Sequence, residues 1–126
     1  MKILVAEDEP MLLKTIELKL KKEGYEVITT TDGREAIAKI RETWPDLVIS
    51  DIMMPYASGL EIVSFLRSEG VKKIPVIILS AMEQEKVVME AFELGADDYI
   101  TKPFSLNELT IRVKKLINQY QRNNAG

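Results

Sequence analysis

Five polar side chains of this sequence stand where short apolar runs end. They are three carboxylates, one hydroxyl and one ammonium: Glu7, Asp8, Asp51, Ser80 and Lys102. If the runs are strands of one parallel sheet, their carboxyl ends share an edge, and ligands bind at that edge. Two carboxylates about 4 Å apart repel by roughly 4 kcal/mol at a surface-like dielectric. The group therefore needs positive charge, which Lys102 supplies in part and a divalent metal would supply more fully.

This set of side chains is typical of a phosphoryl-transfer site. Mg²⁺ takes one or two carboxylates, keeps several waters and completes its shell with a phosphate oxygen. A carboxylate can accept a phosphoryl group as an acyl phosphate. The metal and Lys102 would neutralise charge on the phosphoryl oxygens, and Ser80 would donate a hydrogen bond to one of them.

Composition narrows the chemistry further. The 126 residues contain no cysteine and no histidine, which excludes disulfides, a thiolate zinc site and an imidazole base from this chain. A metal must then be held by oxygen, which points to Mg²⁺, Ca²⁺ or Mn²⁺. The formal net charge of −3 gives no sign of direct binding to nucleic acid or to an anionic membrane. The apolar run 3–6 is too short for a signal core or a membrane span, so we expect a cytoplasmic protein.

Strand and helix patterns alternate along the chain. Strand-forming runs recur at 2–6, 26–30, 46–50, 75–79 and 97–100. The first, third and fourth runs are continuously apolar, which is typical of parallel strands covered on both faces. A segment with apolar residues at helical spacing follows each run. Five such units predict a single doubly wound α/β domain over residues 1–120, with 121–126 as a polar tail or the start of a linker.

Residues at the predicted helix ends support this division. Sequences of capping-box form begin at Asp32, Ser58 and Ser105, where a side-chain oxygen can accept a free amide of the first turn. In helix 1, Pro10 suits the first turn, and capping falls to Asp8 or Glu9. Glycines stand where three helices should end, at Gly24, Gly70 and Gly95.

Four motifs at the predicted strand ends resemble those of the receiver domains of two-component response regulators, of which the chemotaxis receivers are examples. They are Glu7-Asp8, Asp51 in "DIMMPYASG", Ser80-Ala81, and "GADDYITKPF" over 95–104. The resemblance covers about residues 2–120. It implies a flavodoxin-like (βα)5 fold with a parallel five-stranded sheet of order 2-1-3-4-5.

The resemblance also implies the acceptor and its metal. Asp51 corresponds to the phosphoacceptor, and Glu7 with Asp8 to the acidic pocket that binds Mg²⁺, for which Mn²⁺ could substitute. Asp51 itself and the backbone carbonyl of Met53 would be further metal ligands. Glutamate at position 7 departs from the more usual aspartate, and we expect it to alter metal affinity without abolishing binding.

Three more residues resemble the switch elements of the family. Ser80 corresponds to the switch hydroxyl, Tyr99 to the switch aromatic, and Lys102 to the lysine that pairs with the phosphate. The Lys102-Pro103 bond is expected to be cis. Taken singly, Ser80 is more simply a strand terminator, and Tyr99 is equally well a packed aromatic with a solvated hydroxyl.

The implied function is a signalling switch. A histidine kinase or a phosphotransfer protein would phosphorylate Asp51, which would pull Ser80 toward the phosphate and let Tyr99 turn inward. The face formed by helix 4, strand 5 and helix 5 would then repack to control an output. Such a domain catalyses its own phosphorylation and dephosphorylation and is not a turnover enzyme. One alternative is a phosphorylation-independent interaction scaffold. Another is a dehalogenase-type phosphatase, which needs a second aspartate where this chain has Met53.

The sequence leaves two interpretations of the output open. Four charged residues partly resemble the phosphorylation-induced homodimer face of regulators that carry a DNA-binding domain: Asp97, Asp98, Glu108 and Arg112. Val88 and Gln119 depart from that pattern, because basic residues are usual there. The chain is either the receiver of a longer regulator with a DNA-binding output domain or a stand-alone receiver that acts on a protein.

Overall fold

A computed structural model describes the backbone of residues 1–69 and 73–125. Within this part of the chain, five strands alternate with five helices: β1 (Lys2–Ala6), α1 (Pro10–Lys22), β2 (Glu26–Thr30), α2 (Gly33–Thr43), β3 (Leu47–Asp51), α3 (Gly59–Glu69), β4 (Val76–Ser80), α4 (Glu85–Leu94), β5 (Asp98–Thr101) and α5 (Leu106–Ala125). All strand pairs are parallel, in the order β2-β1-β3-β4-β5. The predicted doubly wound fold and strand order are confirmed. Gly70, a predicted helix end, lies outside the described residues.

The two faces of the sheet carry separate hydrophobic cores. Alternate residues of β1, such as Leu4, face α2, α3 and α4, while Val5 and its counterparts face α1 and α5. Strands β3 and β4 are buried along their whole length. Continuous apolar runs are what such double burial requires, because each successive side chain points to the opposite face.

Three strands extend one residue further than the apolar runs. β3 ends at Asp51, β4 at Ser80 and β5 at Thr101, because main-chain pairing continues past the last apolar residue. The register aligns Asp51 with Leu79 and Ser80 with Thr101. The sequence-based ends at 50, 79 and 100 were therefore one residue early. As a result, Asp51 and Ser80 are held by the sheet itself and do not lie in loops.

Three of the predicted helix caps are present. The amides of Glu35, Glu61 and Glu108 donate to Asp32 Oδ1 at 2.7 Å, to Ser58 Oγ at 3.2 Å and to Ser105 Oγ at 3.0 Å, respectively. Helix α1 begins differently. Its cap residue is Glu9, as one of the two predicted alternatives had it, but the Glu9 side chain makes no capping hydrogen bond. The Glu9 amide instead donates to Glu7 Oε2 at 3.0 Å.

The last helix is longer than its apolar pattern. α5 runs to Ala125, so residues 121–125, interpreted from the sequence as a polar tail or the start of a linker, are helical. Among the described residues, no helix combines the length and the apolar character needed to cross a membrane.

A polar network ties α5 to the amino-terminal edge of the sheet. The Tyr120 hydroxyl donates to Asp97 Oδ1 at 2.6 Å, and Arg67 Nη2 donates to Asp97 Oδ2 at 2.9 Å. Asp97 Oδ2 also accepts the Val76 amide at 2.8 Å. The carboxylate is thereby fully engaged inside the molecule, as a partly buried charge must be.

This network predicts an alkaline pH dependence of stability. Burial and the hydrogen bond to Asp97 raise the pKa of Tyr120 above its ordinary value of 10.0. The folded state therefore keeps a proton that the unfolded state loses, so the free energy of unfolding falls as pH rises above 10. The loss is at most about 1.4 kcal/mol per pH unit. Urea unfolding of the wild type and Tyr120→Phe between pH 9 and 11 measures it, and equal slopes for the two proteins would contradict it.

Candidate functional site

The five polar residues singled out in the sequence gather at the carboxyl edge of the sheet. Asp51 and Ser80 close β3 and β4, Glu7 and Asp8 follow β1, and Lys102 follows β5. Glu7 and Ser80 are fully buried, Asp51 is 7% exposed, and Asp8 is exposed. Main-chain bonds extend the pairing to the flanking residues, since the Glu7 amide donates to the Thr30 carbonyl at 3.1 Å and the Lys102 amide to the Ser80 carbonyl at 2.8 Å.

Lys102 bridges two of the carboxylates. Its Nζ lies 2.8 Å from Glu7 Oε1 and 2.7 Å from Asp51 Oδ2. Desolvation alone would lower the pKa of Lys102, but hydrogen bonds to Asp51 and Glu7 raise it above the ordinary value. The ammonium therefore stays charged at neutral pH and partly offsets the two carboxylates.

One ammonium does not balance the site. Burial raises the pKa of Glu7 above its ordinary value, and the nearby Asp51 charge adds to that effect. The hydrogen bond from Lys102 acts in the opposite direction but does not compensate for the lost hydration. The pocket thus carries an excess of negative charge that a bound cation would stabilise.

The carboxylates have the chemistry and spacing of a divalent-metal site. Oxygen atoms of Glu7, Asp8 and Asp51 all lie within 4.8 Å of one another. The set consists only of hard oxygen donors, and Asp8 opens it to solvent, as suits an ion that keeps several waters. These residues fit Mg²⁺. The amide of Met53, whose carbonyl is a further predicted ligand, donates to Asp51 Oδ1 at 3.2 Å.

The two switch candidates are joined through a residue that the sequence did not single out for this purpose. The Ser80 hydroxyl accepts the Met82 amide at 2.9 Å, and the Tyr99 hydroxyl donates to the Met82 carbonyl at 2.8 Å. Tyr99 is 9% exposed and packs in the core, so its hydroxyl is bonded to protein and not simply solvated. The link runs through backbone atoms, which every residue type carries, so no side-chain motif could have indicated it.

The four charged residues predicted for a dimer face are not equivalent. Asp97 is turned into the network with Arg67 and Tyr120. Asp98 Oδ1 accepts a hydrogen bond from Arg112 Nη1 at 2.7 Å, and Arg112 Nη2 lies 3.9 Å from Glu108 Oε1.

The predicted cis bond between Lys102 and Pro103, just after the end of β5, is present.

Comparisons with known proteins agree with this geometry. The family model for the response regulator receiver domain matches residues 3–114. The chain is 40% identical over 118 residues to the alkaline phosphatase synthesis transcriptional regulatory protein PhoP of Bacillus subtilis, covering 94% of this chain and 49% of that protein. It is 38% identical over 117 residues to the probable transcriptional regulatory protein TcrX of Mycobacterium tuberculosis, covering 93% and 50%.

A solved structure shows the same fold. The receiver domain of the Francisella response regulator 1452 superposes with a TM-score of 0.89 at 38% identity, covering 94% of this chain and 97% of that one. The chain spans about half the length of the two curated relatives named above. With a family match over most of its length and relatives of this identity, the chain belongs to the response regulator receiver domains of two-component systems.

Proposed function

We propose that this receiver domain is a phosphorylation switch whose acceptor is Asp51. The observation that carries the proposal is the contact of Lys102 Nζ with Asp51 Oδ2 at 2.7 Å, inside a cluster of three carboxylates. A carboxylate can attack phosphorus as a nucleophile, and the ion pair with Lys102 holds this one at the site. The phosphoryl donor is a phosphohistidine of a histidine kinase or of a phosphotransfer protein.

The reaction moves one phosphoryl group. An Asp51 oxygen forms a bond to phosphorus while the bond from phosphorus to the donor nitrogen breaks, and the nitrogen keeps the electron pair. Lys102 neutralises charge that the incoming phosphoryl oxygens bring next to Glu7. Glu7, Asp8, Asp51 and the Met53 carbonyl would hold Mg²⁺ or Mn²⁺, and the bound metal would add positive charge to neutralise those oxygens further.

The proposed conformational change couples Ser80 to Tyr99 through the main chain of Met82. When Asp51 is phosphorylated, we expect the Ser80 hydroxyl to turn toward a phosphoryl oxygen and donate to it, which shifts the hydrogen bond that it accepts from the Met82 amide. Residues 80–82 then move, and with them the Met82 carbonyl that holds the Tyr99 hydroxyl. The sequence led us to expect that Tyr99 turns inward on phosphorylation, but it is already buried in this structure. Phosphorylation would therefore repack the face of α4, β5 and α5 by moving the Met82 carbonyl to which Tyr99 is bonded, and not by burying Tyr99.

Intact-mass spectrometry tests the proposal. The chain is incubated with acetyl phosphate, with Mg²⁺ or with a chelator. Addition of one phosphoryl group only in the presence of Mg²⁺ would support an aspartyl-phosphate switch. No addition to folded protein at saturating Mg²⁺ would reject it in favour of a phosphorylation-independent scaffold. Turnover of a phosphomonoester well beyond one equivalent would instead indicate a hydrolase.

We further propose that the chain is the receiver of a longer regulator with a DNA-binding output domain. Both curated relatives are named as transcriptional regulatory proteins, and this chain matches about half of each. A phosphorylation-induced homodimer through Asp98, Glu108 and Arg112 would suit such an output. Asp97 is withdrawn from the proposed face because both of its oxygens are engaged within the chain.

A charge reversal tests this dimer. Arg112 pairs with Asp98 of its own chain at 2.7 Å, and in a dimer it would also face the acidic groups of the second copy. Arg112→Glu should weaken association of the phosphorylated chain by at least about tenfold, because like charges then meet at the interface. Sedimentation velocity over a range of concentrations measures it, with Lys22→Glu on α1 as the control. Equal association of the wild type and Arg112→Glu would rule out this face.

A further inference from the structure

The segment that leaves Asp51 is held by two helix starts. We call residues 52–58, between β3 and α3, the acceptor loop; it includes Met53, the predicted carbonyl ligand. Gly33, the first residue of α2, approaches it so closely that a Cβ would lie 1.8 Å from the Ala57 carbonyl oxygen. Gly59, the first residue of α3, approaches it from the other end, where a Cβ would lie 2.5 Å from the Asp51 carbonyl oxygen. Neither position can accept a side chain unless the backbone shifts.

Hydrogen bonds lock the same contacts. The Pro55 carbonyl accepts two amides, from Gly33 at 2.9 Å and from Ala57 at 2.8 Å. The Gly59 amide donates to the Ile52 carbonyl at 3.0 Å. The acceptor loop is therefore pinned at its centre by α2 and at its origin by α3.

A surface contact reinforces the grip of α2. The Arg34 guanidinium lies 4.0 Å from the centroid of the Tyr56 ring, within the range of a cation–π interaction. Tyr56 has φ of 69°, a left-handed conformation that costs energy for a residue with a side chain. The contacts on either side of Tyr56 hold it in that conformation.

Hydrogen bonds also fix the start of α2, so moving it away from the acceptor loop would cost free energy. Asp32 Oδ1 accepts the Glu35 amide at 2.7 Å, and Glu35 Oε1 accepts the Thr31 amide at 3.1 Å. One turn further, Ala36 is fully buried against the sheet. A clash at Gly33 must therefore be relieved mainly by movement of the acceptor loop.

We propose that the start of α2, through Gly33, positions the phosphoacceptor site. The close contacts of Gly33 are with Ala57 and Pro55 of the acceptor loop. Gly33 acts through the acceptor loop on the main chain of Met53, whose amide donates to Asp51 Oδ1 and whose carbonyl is a predicted metal ligand. This inference deepens the proposed function and rests on it for the role of Mg²⁺. The position of the loop is measurable without the metal.

Gly33→Ala tests the proposal with two readouts. In metal-free protein, the backbone amide chemical shifts of Asp51 and Met53 should move. In calorimetric titration, the Kd for Mg²⁺ should rise by about tenfold, as is usual when the support of a metal ligand is disturbed. The matched control is Ile40→Val, a buried change two turns further along the same helix that weakens packing and leaves Gly33 and its hydrogen bond to Pro55 in place. It should lower stability and leave both readouts as in the wild type.

A second variant guards against misfolding of the first. Arg34→Ala removes the exposed contact with Tyr56 and leaves Gly33 in place, so it should fold and raise the Kd by about twofold to threefold, the effect of a weak surface contact. If Gly33→Ala does not fold, Arg34→Ala decides, and wild-type shifts and affinity would overturn the proposal. Wild-type readouts in a folded Gly33→Ala would also overturn it. If the wild type binds no Mg²⁺, the metal part of the proposed function fails, and the amide shifts alone decide whether Gly33 positions the loop.

Discussion

Asp51→Asn should abolish phosphoryl uptake and leave the fold intact. The amide has nearly the same shape as the carboxylate but is not a nucleophile toward phosphorus. Asp51 is the last residue of β3, and its main-chain pairing does not depend on the side chain. Intact-mass measurements with acetyl phosphate and Mg²⁺ should show uptake reduced to background.

The matched control is Asp98→Asn. Asp98 is the first residue of β5 and also forms an ion pair, with Arg112 at 2.7 Å. It therefore lies at the amino-terminal edge of the sheet, opposite the candidate site. This variant should take up one phosphoryl group at nearly the wild-type rate. Uptake by Asp51→Asn at the wild-type level would mean that another residue is the acceptor, and peptide mapping would identify it.

Lys102→Met should make stability depend strongly on Mg²⁺. The substitution removes the ammonium that lies between Glu7 and Asp51, and the Glu7 side chain has no exposure with which to regain hydration. Removing one partner of a fully buried ion pair typically costs 3–5 kcal/mol; because the Lys102 side chain is 23% exposed, we expect about 2 kcal/mol.

Bound Mg²⁺ should recover much of that loss. A ligand that binds only the folded state stabilises it by about 2.7 kcal/mol at a hundred times its Kd. Without Lys102 the pocket is more negative, so its Kd for Mg²⁺ should fall, and at a given Mg²⁺ concentration the variant should gain more stability than the wild type. Urea unfolding with and without Mg²⁺ measures both gains.

A surface lysine provides the comparison for Lys102. Lys114 also pairs with a glutamate, Glu23, at 2.9 Å, but in an exposed position where such pairs contribute little. Lys114→Met should change stability slightly and leave its response to Mg²⁺ unaltered. If Lys102→Met responded to Mg²⁺ no more than Lys114→Met, Lys102 would not be balancing the charge of the carboxylate pocket.

Much of the fold could be predicted because its causes are local. Continuous apolar runs indicated buried parallel strands, and Asp32, Ser58 and Ser105 marked three helix starts that the structure confirms. The strand ends were placed one residue early because the apolar pattern stops before the main-chain pairing does. Asp51 and Ser80 are polar residues that still belong to strands, and hydrophobic periodicity cannot identify a polar residue as part of a strand.

The residues of the candidate site could be selected from the sequence, but their pairing could not. Lys102 contacts partners that are 95 and 51 residues away along the chain, Glu7 and Asp51. Asp97 belongs to a predicted charged face by its position, yet in the structure it turns inward to Arg67 and Tyr120. Such pairings depend on how distant helices pack, and packing is a property of the whole domain.

The sequence by itself determined the types of element, their order and the chemistry available at the sheet edge, because hydrophobic periodicity, capping and side-chain ionisation act over a few residues. Only the tertiary structure decided which carboxylate meets which cation, that the Met82 backbone joins Ser80 to Tyr99, and that Gly33 abuts the acceptor loop. Those contacts involve backbone atoms or long sequence separations. They form only when both faces of the sheet are packed.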